Sequence, residues 1–209
     1  FAFRHERGPQ FETGFRNTLG IQLTRCTMTY AGFPYPLMNV SGHVRMEGQR
    51  WTIRDVSGTN DTGLVRCHGL FEANGRGGGR LELELTGTDV VLEPELRDAL
   101  PPSMRRIWND MAPRGSAEFT ARVRHDVGTR RTEVELEATP RGDTVSIEPA
   151  WFPYRLERLQ GRLALKDGLL RFEGVRGVHA RTTVSTEGIC RFTPDGGWHV
   201  SFARLTADR

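Results

Sequence analysis

Internal repetition is the feature that most restricts what this chain can fold into. Phe33-Pro34-Tyr35-Pro36-Leu37 returns as Phe152-Pro153-Tyr154-Arg155-Leu156, displaced by 119 positions, and the match then runs on without a gap. Gly42 falls on Gly161, Val56 on Val175, Gly58 on Gly177, Val65 on Val184, Gly69 on Gly188, Gly77-Gly78 on Gly196-Gly197 and Asp89 on Asp208. Apolar character persists where identity does not, as in Val40 with Leu159, Val44 with Leu163, Met46 with Leu165, Ile53 with Phe172 and Leu83 with Phe202. Such a register marks a structural unit used at least twice. Residues 1–209 read as one continuous array, with a first full unit over 30–148 and the start of a second over 149–209.

Within each unit the pattern is strand, turn, strand. Val40, Gly42, Val44 and Met46 alternate with Ser41, His43, Arg45 and Glu47; Gly48-Gln49 turns the chain; Trp51-Thr52-Ile53-Arg54 returns. Leu163-Ala164-Leu165, Lys166-Asp167-Gly168 and Leu169-Leu170-Arg171-Phe172 repeat the design. Upstream, after breaks at Gly8-Pro9, Gly14 and Gly20, Thr24–Tyr30 alternates as a strand and aligns with Asp143–Pro149. Arg80-Leu81-Glu82-Leu83-Glu84-Leu85-Thr86 and Val134-Glu135-Leu136-Glu137-Ala138 are apolar on one face and acidic on the other. A face carrying a glutamate at every second residue must look at water, which predicts an antiparallel sheet with one apolar face. Pro34 and Pro36 each remove a ladder donor, so the Phe-Pro-Tyr element is predicted to be an edge or a crossover rather than a mid-sheet strand.

One segment, 93–111, has helical spacing. Leu96, Leu100, Met104, Ile107, Trp108 and Met111 recur at three and four, with Pro101-Pro102 dividing two short helices and Pro94 in a first turn. Arg97, Asp98, Arg105, Arg106 and Asp110 are predicted to face out, and the pair either covers the apolar face or plugs it.

Composition narrows the function classes. With 37% hydrophobic residues, 24 Gly and 11 Pro, the chain is globular, rich in turns and thin in core. No stretch approaches the ~20 apolar residues that span a bilayer as a helix. The formal charge of +3 comes from arginines interleaved with nearly as many acids, with Lys166 the single lysine, so no cationic stripe forms and nucleic acid is not an expected partner. Phe1-Ala2-Phe3-Arg4 opens as if in mid-strand, and Asp208 stands in the column of Asp89, where the first unit continues. The sequence therefore reads as part of a longer chain, with any signal or anchor elsewhere.

No arrangement for chemistry emerges. Gly75-Arg76-Gly77-Gly78-Gly79-Arg80 precedes a strand and not the helix that a phosphate loop needs. His5, His43, His68, His125, His179 and His199 include no pair at ligand spacing, and Asn60-Asp61 supplies two oxygens where calcium takes six to eight. Cys26, Cys67 and Cys190 fall in columns held by Val145, Thr186 and Phe71, so they read as small hydrophobes. The expectation is a protein that is not an enzyme, with no metal and no cofactor.

On these residues the chain resembles the AsmA-like family, which includes AsmA and TamB. The opening Phe33-Pro34-Tyr35-Pro36-Leu37 with Val40, Gly42 and Val44, the hairpin to Trp51-Thr52-Ile53, then Val56, Gly58, Val65 and Gly69, looks like that family's repeated element. The stretch from Leu92 through Leu96, Leu100 and Ile107-Trp108 to Pro113 and Gly115 is similar to a helical insertion of large members. The resemblance implies a mainly β fold, an extended curved antiparallel sheet forming a taco-shaped groove. It also implies bridge-like transport of phospholipid or other acyl-chain lipid across the periplasm in outer-membrane biogenesis, the parent protein being anchored in the inner membrane. No catalytic residues come with it.

The groove-lining side chains expected are Val44, Met46, Trp51, Ile53, Leu81, Leu83, Leu85, Val134, Leu136, Leu163, Leu165, Leu170, Phe172, Val200 and Phe202. In the alternative reading, the same residues form the dry core of a structural β-solenoid or sandwich that binds protein.

Overall fold

Period-two alternation in runs of about ten residues makes strands with one face to bury, and tight turns between them make neighbours in sequence neighbours in space. The computed structural model describes residues 1–8, 10, 15–75, 77–152, 154–193 and 197–209, with only the backbone of Phe15. Pro9, Gly14, Arg76, Pro153 and Gly196, used in the sequence reading, lie outside the described residues.

Among the described residues, twelve strands form one antiparallel sheet whose spatial order is their sequence order. They are β1 (Ala2–Arg7), β2 (Phe15–Tyr30), β3 (Phe33–Glu47), β4 (Arg50–Asn60), β5 (Gly63–Ala73), β6 (Gly79–Val91), β7 (Ser116–Asp126), β8 (Arg131–Pro140), β9 (Glu157–Lys166), β10 (Leu169–His179), β11 (Thr182–Phe192) and β12 (Trp198–Asp208). Helices α1 (Pro94–Ala99) and α2 (Pro102–Met111) connect β6 to β7. The sheet is open, with β1 and β12 each paired on one side. An eleven-residue strand such as β4 is about 36 Å long at the usual rise. No described helix is long and apolar enough to cross a membrane.

The Phe-Pro-Tyr expectation needs correcting. Phe33–Leu37 is neither crossover nor sheet edge but the start of β3, an interior strand. The prolines are tolerated because β3 meets β4 only from Met38, opposite Thr59; before that point it pairs with β2 alone. The alignment of 24–30 with 143–149 also breaks down. Thr24–Tyr30 lies within β2, whereas Ser146 and Ile147 make only isolated bridges, to Arg114 and Leu156. The N–H groups of Glu148 and Ala150 are drawn instead to carbonyls at the end of α2.

Burial is concentrated in two places. Tyr35, Val65 and Val90 enclose Ala99 of α1, with Leu37, Leu85, Leu96 and Phe119 packed around them. Val145, Leu156 and Leu159 form the second cluster, joined by Leu92, Ile147, Val175 and Val184. Both form where non-strand segments, α1 and residues 141–156, fold onto the sheet.

Candidate functional site

The register places every expected groove residue on one face. Met46, Trp51, Phe71 and Leu81 stand opposite one another in a row across β3 to β6. The next row is Val44, Ile53, Gly69, Leu83, Val123 and Val134. Leu85, Ala121, Leu136, Leu165, Leu170, Cys190 and Val200 form the row beside it, across β6 to β12. A last row runs Leu163, Phe172, Gly188 and Phe202. None of the expected groove residues is fully buried. Val134, Leu163 and Phe202 are 39%, 38% and 55% exposed, high values for large apolar side chains that share one face of a sheet.

The opposite face carries the charges. His68 and Arg122 flank Glu84, each at 2.8 Å, and Lys166 reaches Glu135 at 3.0 Å. Hydrogen bonds from Arg122 and then His68 hold the Glu84 carboxyl below its ordinary range, and Lys166 does the same for Glu135. These pairs are solvated and screened by water and salt. Their work is to keep one face of a long sheet in water.

Two paired glycines space the strands. A Cβ on Gly42 (φ +148°) would lie 2.6 Å from the Val56 Cα, and one on Gly161 (φ +121°) 2.7 Å from the Val175 Cα. Both are approaches that only glycine permits.

The helical insertion lies on the apolar face. Asn60, buried, donates its amide to the Pro36 carbonyl (2.9 Å) and to Glu95 Oε2 (3.0 Å), tying α1 to β3 and β4. Beside them the buried Tyr35 hydroxyl has no hydrogen-bond partner among the described residues. Burial first, then the charges of Glu93, Glu95 and Asp61, push it up to about 12. Glu93 is raised for similar reasons, by burial and by Asp61.

Helix α2 is seated differently. Met104, Ile107, Trp108 and Met111 share one side of the helix and are half-buried, yet no residue of it is fully buried. A cavity of about 480 Å³ opens between its first turn and the strands, lined by Met104, Val134, Leu165 and Phe192 and also by the charged Arg131, Glu133 and Asp167. Asp110, expected to face solvent, instead accepts a 2.9 Å hydrogen bond from the Trp198 indole of β12. The carbonyls of Asp110 and Met111 accept from the N–H groups of Ala150 (2.7 Å) and Glu148 (2.8 Å), and Trp151 packs on Trp198 at 5.2 Å. Asp110, Trp151 and Trp198 were missed from sequence, although a signal exists: in the alignment by 119, Trp151 falls on Gly32 and Trp198 on Gly79.

Cys26 and Cys67 are half-buried and Cys190 is buried, all unpaired, and burial raises the thiols of Cys67 and Cys190. Among the described residues no group of three or more His, Cys, Asp or Glu side chains is placed to hold a metal ion. Comparisons with protein-family models, curated proteins and solved structures find no match.

Proposed function

We propose that this chain is a non-enzymatic, lipid-binding segment of a cell-envelope protein, in which tandem 119-residue units curve into a groove for phospholipid or other acyl-chain lipid. The observation that carries the reading is the apolar face itself. Rows rich in Leu, Val, Phe and Trp, with Gly69, Ala121, Gly188 and Cys190 among them, run across the strands half-exposed, with two short helices in the connection between β6 and β7. Apolar patches beyond a few hundred Å² mark binding surfaces, and an acyl chain laid on such a face gains about 0.8 kcal/mol per methylene buried.

The likeness to AsmA and TamB supports placing the groove in the periplasm, with the parent protein anchored in the inner membrane and the lipid moving between membranes during outer-membrane biogenesis. Membrane contact would then be made by parts of the parent chain outside these residues.

Mass spectrometry of an organic extract of the purified protein tests the reading, with co-purified phospholipid or fatty acid expected. Leu83→Glu combined with Leu136→Glu, on either side of β7, is expected to abolish lipid recovery while the β-sheet circular dichroism persists. A lipid-free extract from wild type overturns the proposal and favours a dry protein-binding module.

A further inference from the structure

The insertion between β6 and β7 touches both halves of the apolar face. Its first helix is packed among Tyr35, Val65 and Val90, and its second reaches β12 through Asp110 and Trp198, residues 88 apart in sequence. The two ends are held differently. Helix α1 buries Ala99 and is tied down by Asn60 through Glu95. Helix α2 buries nothing completely and stands over the cavity. Between them, Leu100-Pro101-Pro102 carries no helical hydrogen bonding across the junction, Pro101 and Pro102 having no N–H to donate.

The fastening at the loose end is made by residues that the strand plan does not need. Trp198 opens β12 as Gly79 opens β6, and Trp151 falls on Gly32. Where no helix end arrives, the chain has glycine in both positions; where α2 arrives, it has tryptophan in both. The two indoles pack against each other at a tilt of 46°, and one donates to the helix.

We propose that α2 is a strap across the apolar face, clasped by Trp198 to Asp110. It swings about Leu100-Pro101-Pro102 to admit an acyl chain to the apolar rows, by way of a cavity that Met104, Val134, Leu165 and Phe192 line together with the charged Arg131, Glu133 and Asp167. This inference rests on the lipid-groove reading and adds its point of control. A segment with few fully buried apolar contacts opens at the low end of the stability scale. The Trp198–Asp110 bond, to a charged acceptor and worth a factor of roughly ten or more, then shifts the open fraction on top of the two backbone bonds that Ala150 and Glu148 donate to Asp110 and Met111.

The test is the uptake rate of a long-chain fatty acid with a terminal fluorophore, delivered from phosphatidylcholine vesicles to the whole chain. Trp198→Phe keeps the ring and loses the N–H; Asp110→Ala loses the acceptor. Each is expected to speed uptake about tenfold, and the double variant no further, because both remove one bond. In a background with Cys26, Cys67 and Cys190 changed to serine, Met104→Cys and Val134→Cys joined by a bismaleimide are expected to slow uptake at least as strongly. This arm stands even where a clasp variant folds poorly. Uptake by wild type at a rate that neither the clasp variants nor the cross-link alter overturns the strap and leaves the groove standing. No probe bound by wild type or by any variant removes the groove, and the strap with it.

Discussion

Strands β4 and β5 occupy residues 50–60 and 63–73, and β10 and β11 occupy 169–179 and 182–192, the same lengths in the same order. A methyl on Gly42 would strike the backbone of Val56, and one on Gly161 the backbone of Val175. Beyond these columns the two regions part. Strand β6 is paired on both sides, whereas β12 has a neighbour on one side only. Phe33–Leu37 extends β3, but β9 starts only at Glu157, after a bend. Gly32 and Gly79 in one region face Trp151 and Trp198 in the other. Positions that set the spacing between strands are kept, while positions at strand ends are spent on whatever crosses the sheet nearby.

The sharpest way to break this comparison is at the shared glycines. Gly161→Val is expected to cost about 3 kcal/mol or more, from a positive φ and a Cβ against the Val175 backbone. Gly168→Ala, in the next turn with φ +72° and open space around it, should cost about 1–2 kcal/mol. Urea denaturation midpoints read both, and equal values would mean that strand spacing is not what Gly161 provides.

Burial along a single strand gives the next largest contrast. Leu159 is 6% exposed and Leu163, four residues on in β9, is 38% exposed. Leu159→Ala is expected to cost about 2–4 kcal/mol, and Leu163→Ala under about 1 kcal/mol. Similar costs at both sites would show the face sealed by a second layer, as in a sandwich.

Tyr35→Phe removes a buried hydroxyl without a partner, so it is expected to be neutral or to stabilise by about 1 kcal/mol. The neighbouring Glu93 gives a pH signature. Its carboxyl is raised in the fold, so in the window just above the ordinary glutamate value the native state binds more protons than the unfolded chain. Stability contributed by the neutral form is therefore complete at low pH and declines as pH climbs through that window. Thermal midpoints should show this decline in wild type and a flatter profile in Glu93→Gln.

The smallest effects belong to the charged face. Arg122→Ala or Lys166→Ala should each leave the urea midpoint close to that of wild type, and closer still in high salt, because both partners are solvated.

Much of this architecture was legible in advance for a local reason. Leu81, Leu83 and Leu85 alternate with Glu82 and Glu84, and a period of two assigns faces without knowledge of what lies opposite. Pro101-Pro102 announced the break between α1 and α2, and the helical spacing announced their apolar stripe. Prolines misled at Pro34 and Pro36, because a residue inside a sheet can lack a neighbour on one side when the adjacent strand ends early, as β4 does at Asn60. Asp110 misled because a carboxylate on the polar side of a short helix has no local reason to turn toward a tryptophan.

By itself the sequence determined the alternation that gives each strand one apolar face, the strand-and-turn plan and the paired short helices, all of which follow from side-chain period and backbone permission within a few residues. Only the tertiary structure decided that twelve strands join in one open sheet, that the buried clusters lie where α1 and residues 141–156 fold onto it, and that α2 ends against Trp198. Those outcomes depend on where segments separated by tens of residues arrive in space, and neither period nor propensity carries that distance.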